Sequence, residues 1–311
     1  MKRVLSIGMA ATAMLSGLAF SAGPAGAGEG EGLPDSYNDV MTSYPLTVNG
    51  DYEPLIHECG SLKILWYAAG PAADHLWTFI PSEGETPEYT SAPTAINGVY
   101  DPIIGDFDGD SCDDIVWYAP GSAADFIWWG GEDGFTSEPL TINGTYEAVA
   151  GAFSTEYREG IFWYSPGTGA EYFWSTGGDR TFESKQAPSV NGTYRIAANG
   201  RDVLFHRPGP GLDYLWDGVD AENGTVDTVA PFQINGTYEP SAGVEGFLLY
   251  GPGSAPDHLL LGLDDGDPVT IPATINGVYE TGERTAALHF LHLWHAPGSA
   301  PDYLWVFEEG R

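Results

Sequence analysis

Asn97-Gly98-Val99-Tyr100 opens a stretch that runs through Trp117-Tyr118-Ala119-Pro120-Gly121, then Asp125 and Trp128, to Asn143-Gly144-Thr145-Tyr146, where the same order begins again. Asn-Gly followed one residue later by Tyr starts at Asn49, Asn97, Asn143, Asn191, Asn235 and Asn276, at spacings of 48, 46, 48, 44 and 41 residues. A period in the forties is that of one four-stranded propeller blade. A second block keeps step with the first. Counted from its first aromatic position, a Gly stands four residues on in all six copies (Gly70, Gly121, Gly167, Gly209, Gly253, Gly298). An acid stands eight residues on in all six (Asp74, Asp125, Glu171, Asp213, Asp257, Asp302).

This block reads as a hairpin: a β-rich run is turned by Pro-Gly or its equivalent and a second run returns. An acid beside the turn can accept backbone N–H groups that the turn leaves unpaired. A catalytic role is the other reading, but a catalytic acid is not needed six times. In the second repeat the pattern predicts strands a to d near 99–104, 115–118, 125–129 and 135–142. The sixth repeat stops after its strand c (303–307), and 44–48 has the place of a strand d with no a, b or c before it. The expected fold is therefore an all-β, six-bladed β-propeller, closed by the N-terminal strand pairing with the last blade and removing exposed edges. Its span is 43–311, after a flexible segment at 28–42.

Residues 1–27 read as a secretory signal peptide: Lys2 and Arg3, an apolar run from Val4 to Phe20, and Ala25-Gly26-Ala27 as a small-residue cleavage site. An uncleaved anchor is the alternative, but the run is short and rich in Ala and Gly for a membrane span, so no membrane insertion is expected. The protein is expected to be secreted to the extracellular space and monomeric. The chain has 311 residues, 11 Lys plus Arg against 44 Asp plus Glu, and a formal net charge of −33. So few cations cannot make a phosphate-binding patch, which excludes nucleic acid as a partner. Hydrophobic residues at 42% and aromatics at 13% argue against disorder.

Between strands a and b of the second blade, Asp106, Asp108, Asp110 and Asp114 stand at positions 1, 3, 5 and 9 of an acidic loop, with the Cys112 carbonyl at position 7. Alternating oxygen donors on a tight loop are what Ca²⁺ requires. A water-solvated acidic turn is the plainer alternative. Gly105-Asp106-Phe107-Asp108-Gly109-Asp110 with Asp114-Ile115-Val116-Trp117 resembles the FG-GAP or VCBS repeat, the blade of the integrin α-subunit propeller, common in secreted bacterial proteins. The resemblance implies a propeller and one structural Ca²⁺. In the third repeat the four Asp positions map to Ala152, Ser154, Glu156 and Gly160, so the loop is intact in one blade only.

Cys59 and Cys112 are the only cysteines. Both fall in a-to-b loops of neighbouring blades, and an oxidising compartment favours a disulfide between them; two free buried thiols are the alternative. Nine of the ten Trp occupy two repeat positions, one on strand b and one on strand c; Trp129 is the exception. They read either as packing between blades or as carbohydrate platforms, with Trp129 the candidate ligand-binding residue. His289, His292 and His295 invite a zinc reading, but alternation along a strand turns His292 away from both others. The function expected is a non-enzymatic binding propeller for a glycan or an extracellular protein. A propeller glycosidase or polysaccharide lyase and a structural cell-envelope protein are the alternatives.

Overall fold

The computed structural model describes residues 41–80, 88–121, 123–154, 158–244, 246–261, 269–286 and 289–308. The leader expected at 1–27 and nearly all of 28–42 lie outside them. Among the described residues the regular elements are strands, gathered into six four-stranded antiparallel sheets. β1 is Met41–Leu46. Blade 1 is β2 (Glu53–Glu58), β3 (Leu62–Tyr67), β4 (Asp74–Ile80) and β5 (Glu88–Thr94). Blade 2 is β6 (Asp101–Gly105), β7 (Asp114–Tyr118), β8 (Asp125–Trp129) and β9 (Thr136–Leu140). Blade 3 is β10 (Glu147–Gly151), β11 (Gly160–Tyr164), β12 (Tyr172–Thr176) and β13 (Phe182–Gln186). Blade 4 is β14 (Arg195–Asn199), β15 (Asp202–His206), β16 (Asp213–Asp220) and β17 (Thr225–Phe232). Blade 5 is β18 (Glu239–Gly243), β19 (Gly246–Tyr250), β20 (Asp257–Leu261) and β21 (Val269–Ala273). Blade 6 is β22 (Glu280–Ala286), β23 (His289–His295) and β24 (Asp302–Glu308), and its fourth strand is β1.

The fold is the expected all-β six-bladed propeller. The expected closure is present too: β1 runs antiparallel to β24, with Tyr44 opposite Leu304. The strand ends at Leu46 rather than at Val48, because the Val48 N–H leaves the sheet to donate to Asp302 Oδ2 at 2.7 Å.

The chain divides into two compact units, Met1–Gly98 with Val278–Arg311, and Val99–Gly277. In the first, β2 lies beside β22; in the second, β6, β10, β14 and β18 lie side by side in that order. Each hydrophobic cluster draws on two successive blades. Ile103, Phe107, Val116 and Trp129 of blade 2 pack with Ile161 and Trp163 of blade 3, and Phe162 and Phe173 of blade 3 pack with Phe205 and Trp216 of blade 4. The two repeated Trp positions meet each other edge to face within a blade: Trp66 with Trp77 at 5.1 Å, Trp117 with Trp128 at 5.2 Å, Trp163 with Trp174 at 5.0 Å, and Trp294 with Trp305 at 5.1 Å. That is the arrangement the ring quadrupole favours. The strand-b members are at most 1% exposed, so those rings are packing residues.

The repeated acids are buried and join each hairpin to the segment that leads into the next blade. One oxygen accepts the N–H six residues before the acid, at the end of strand b; the other accepts the N–H of the Ile or Val just before Asn-Gly. These pairs are Ala68 and Ile96 on Asp74, Ala119 and Ile142 on Asp125, Arg207 and Ile234 on Asp213, Gly251 and Ile275 on Asp257, and Ala296 and Val48 on Asp302, all at 2.5–2.9 Å. In blade 3 the longer Glu171 stands there, fully buried, and burial raises its carboxyl above the usual range. The second aromatic of each block closes the same joint. Tyr67, Tyr118, Tyr164 and Tyr250 donate their hydroxyls to the carbonyl of the linking Gly at 2.7–3.1 Å. His206 and His295 replace Tyr in blades 4 and 6, with Nδ1 on the turn acid at 2.9 and 2.8 Å.

The hairpin Gly and the linking Gly form a two-residue bridge in every repeat, from Gly50 with Gly298 to Gly253 with Gly277. The linking Gly is required for two reasons, seen at Gly144. Its φ is +140°, and a Cβ there would lie 2.5 Å from Tyr146 Cε2. Gly144→Ala is therefore expected to cost about 3 kcal/mol from backbone strain and displacement of the Tyr146 ring. Chemical denaturation checks it; a loss below about 1 kcal/mol, the level of an ordinary substitution, would contradict the account.

Candidate metal centre

The acidic loop leaves β6 at Gly105 and returns at Asp114, the first residue of β7. Asp106 organises its turn: Oδ1 accepts the N–H groups of Gly109 (2.8 Å) and Asp110 (3.1 Å), and Oδ2 accepts that of Ser111 (2.9 Å). The wrap requires left-handed backbone at Gly109 (φ 81°) and at Ser111 (φ 69°). Asp114 is fully buried; its oxygens accept the Phe107 N–H at 2.9 Å and the Gly130 N–H at 2.7 Å. Gly130 has to be Gly, since a Cβ would lie 2.4 Å from the Asp113 carbonyl.

Of the expected ligands, the structure brings three together. Asp106, Asp108 and Asp114 each offer a carboxylate oxygen, all within 4.8 Å of one another. Two oxygens on one Ca²⁺ at 2.3–2.6 Å stand no more than about 5 Å apart, so this donor set fits that ion. Asp110 is drawn elsewhere. Its Oδ1 accepts the Cys112 N–H at 2.8 Å and its Oδ2 lies 3.6 Å from the Arg180 guanidinium. Cys112 is tied to the loop by that N–H, and neither cysteine is free: Cys59 and Cys112 are both disulfide-bonded. Burial, opposed by the backbone N–H groups and reinforced by neighbouring carboxylates, raises Asp106 above the usual carboxylate range; the same causes push Asp114 up to about 8. A cation among these groups favours their ionised forms.

Arg180 is the residue that sequence reasoning missed. It sits in the turn after β12 with φ 63°, and its Nε donates to Asp108 Oδ2 at 2.7 Å. Its guanidinium also lies over Trp129, 5.3 Å from the ring centroid, a cation–π contact. Phe182 stacks on the same ring at 6.0 Å. Trp129, expected to receive a ligand, is thus a packed residue with 1% exposure. A signal for Arg180 exists in the sequence: the turn Gly177-Gly178-Asp179-Arg180 places one of few basic residues where blade 2 has Gly130-Gly131-Glu132-Asp133. Further groups reach the loop from blade 3. Thr176 Oγ1 donates to the Phe107 carbonyl, and Glu159 Oε2 accepts the Asp106 N–H at 3.0 Å.

The histidines belong to the fold. His295 places Nδ1 on Asp302 and Nε2 3.2 Å from the Gly50 carbonyl, and His292 stacks on Trp294 at 4.3 Å. The side chain of His289 lies outside the described residues.

Fold and loop together define a class, a six-bladed β-propeller whose second blade carries, among the described residues, a cluster of three carboxylates. No protein-family model matches the chain, and no curated protein matches it. Similar solved structures include a functionally unknown protein from Desulfotomaculum acetoxidans DSM 771, at 10% identity and a TM-score of 0.47, covering 82% of this chain and 86% of that one. A streptogramin B lyase is similar at 10% identity and a TM-score of 0.45, covering 85% and 96%.

Proposed function

We propose that this chain is a secreted, non-enzymatic binding propeller with blades of the FG-GAP or VCBS kind, taking a glycan or an extracellular protein as ligand and holding one structural Ca²⁺ in its 106–114 loop. The grouping of Asp106, Asp108 and Asp114 carries the calcium part of this reading. The binding part is supported by how the acids and histidines are used: five of the six repeated acids spend both oxygens on backbone N–H groups, and His206 and His295 are held by two of those acids. Ca²⁺ supplies a divalent charge that holds the three carboxylates together, and Asp108 is the group for which it competes with Arg180.

Saturating Ca²⁺ is expected to raise the melting temperature of the wild type, by linkage worth about 2.7 kcal/mol at a hundredfold excess over Kd. Asp108→Ala abolishes the rise. Arg180→Ala, which frees Asp108 from its resident guanidinium, enlarges it and lowers the calcium-free melting temperature. A melting temperature insensitive to Ca²⁺, or equally sensitive in Asp108→Ala, would remove the cofactor. Glycan-array and extracellular-protein binding, with and without chelator, tests the ligand class; turnover of a polysaccharide would overturn the non-enzymatic reading.

A further inference from the structure

In three blades an aromatic side chain from the start of strand d covers the strand-c Trp. Tyr89 stacks on Trp77 at 3.9 Å and 13°, Phe135 on Trp128 at 5.2 Å and 30°, and Phe182 packs on Trp174 at 5.3 Å and 36°. Each stands two residues before the strand-d partner of that Trp, which is Ser91, Ser137 or Ser184. Blades 4 and 6 depart from the pattern; in blade 6 Trp305 is paired with Ser43 and the residue two before is Met41. In blade 4 Trp216 is paired with Val229, and the residue two before Val229 is Asp227. The described rings around Trp216 (Phe162, Phe173, Phe205) come from β11, β12 and β15, none from β17.

Blade 4 carries an open cavity of about 290 Å³, lined by Tyr194, Tyr214, Trp216, Val229, Ser189 and Asn191 among others. Sites for small molecules start near 300 Å³, so the space suits one ring rather than an extended chain. We propose that it binds a single pyranose ring of a neutral glycan. This deepens the binding reading above and rests on it.

The lining has the composition such a ligand needs. A pyranose presents an apolar C–H face and a polar rim. The half-buried Tyr214 offers an aromatic face, whose negative quadrupole attracts C–H hydrogens. Ser189 and Asn191, both exposed, offer a hydroxyl and an amide that donate and accept. The walls are rigid: Tyr194 packs edge-on to Tyr214 at 6.0 Å, and Trp216 to Phe205 at 4.7 Å. The linking segment is pinned by the Ala187 N–H on the Glu171 carbonyl and by the bridge between Gly167 and Gly192. Little ordering remains to be done on binding, which keeps its cost low. None of the named lining residues is charged, and a chain of net charge −33 repels an acidic sugar, so the ring is neutral.

Saturation-transfer NMR with methyl glucosides, galactosides and mannosides tests the proposal on the full chain. Transfer to at least one hexoside is expected in the wild type. Val229→Trp, at a position 52% exposed, fills the cavity and is expected to weaken binding at least tenfold with the melting temperature kept; Tyr214→Ala gives the same loss. Ser91→Trp, the matching exposed change in blade 1, leaves binding unaltered. Transfer that survives Val229→Trp puts the sugar elsewhere and overturns the cavity while leaving the binding propeller standing. Absence of transfer from every hexoside overturns the cavity, and the glycan array then decides the broader reading separately.

Discussion

Asp302→Asn, which keeps the side chain's shape but removes its charge and turns one acceptor oxygen into a donor, is expected to destabilise the protein by about 3–5 kcal/mol, or roughly 10 °C in melting temperature. The carboxylate is fully buried and acts only as an acceptor, taking the Ala296 N–H on one oxygen and the Val48 N–H on the other, with His295 Nδ1 at 2.8 Å. An amide can replace one of those oxygens but not both. Its NH₂ must face a backbone donor, so one N–H is left buried without a partner, which costs about 1–3 kcal/mol before the lost charge-assisted bonds are counted. The damage falls at Val48, just after the strand that completes blade 6, so proteolysis near β1 should accelerate with the loss of stability. Asp133→Asn, in an exposed turn, provides the control and should stay within about 0.5 kcal/mol of wild type. Urea denaturation of the pair decides it: a difference under 1 kcal/mol would mean that the acid is not a joint.

Acidification from pH 6.5 to 4.5 is expected to remove on the order of 5 kcal/mol through two buried histidines. His57 is held down to about 3, by burial first and then by the charges of Lys63 and Arg284; His292 is held down to about 3 by burial alone. Both are neutral in the native state, whereas the unfolded chain binds a proton at each near pH 6.5. Stability is therefore complete above 6.5 and is lost progressively as pH falls toward 3. Asp114, raised to about 8 in the metal-free protein, works the other way: its native form binds the proton first, so its contribution grows as pH falls from 8 toward 4. The readable quantity is the difference between variants. His292→Phe keeps the stack on Trp294 and should flatten the pH slope below 6 by about one proton, or 1.4 kcal/mol per pH unit. An unchanged slope would show that His292 is not the group that titrates.

The repeat was legible because a propeller writes the same joint six times. The acid, the second aromatic and the Gly recur at constant offsets because they build the same joint: five of the six acids hold the same pair of backbone N–H groups, four Tyr hydroxyls hold the linking Gly, and the Gly–Gly bridge is made in every repeat. Closure was legible from the same bookkeeping, since a strand d with no blade before it has one place to go. The reason for Asn-Gly-x-Tyr was not legible: the clash between a Cβ at Gly144 and the Tyr146 ring exists only once the turn is folded. Of the four aspartates of the acidic loop, three come together in the structure and Asp110 does not join them. Asp110 accepts the Cys112 N–H within its own loop and lies 3.6 Å from Arg180, seventy residues along the chain and on another blade, where no spacing rule within one repeat can reveal it. Trp129 was misread for a related cause, because whether a ring is a platform or a filling depends on Arg180 and Phe182, which approach from blade 3.

Each joint straddles the boundary between two blades, and that changes what the heritable module is. The acid lies in one blade and grips the link that leads into the next, so a segment copied from one Asn-Gly to the next carries a complete acceptor and a complete link. Placed beside any other copy, its acceptor meets a link of the same form and its link meets an acceptor of the same form. Asp302 on Val48 joins parts 254 residues apart with the bonds that elsewhere join parts about twenty apart. Growth by duplication thus needs no new contact at the seam, and irregular features of this chain such as the acidic loop of blade 2 and the missing strand-d ring of blade 4 are free to diverge because neither lies in the joint.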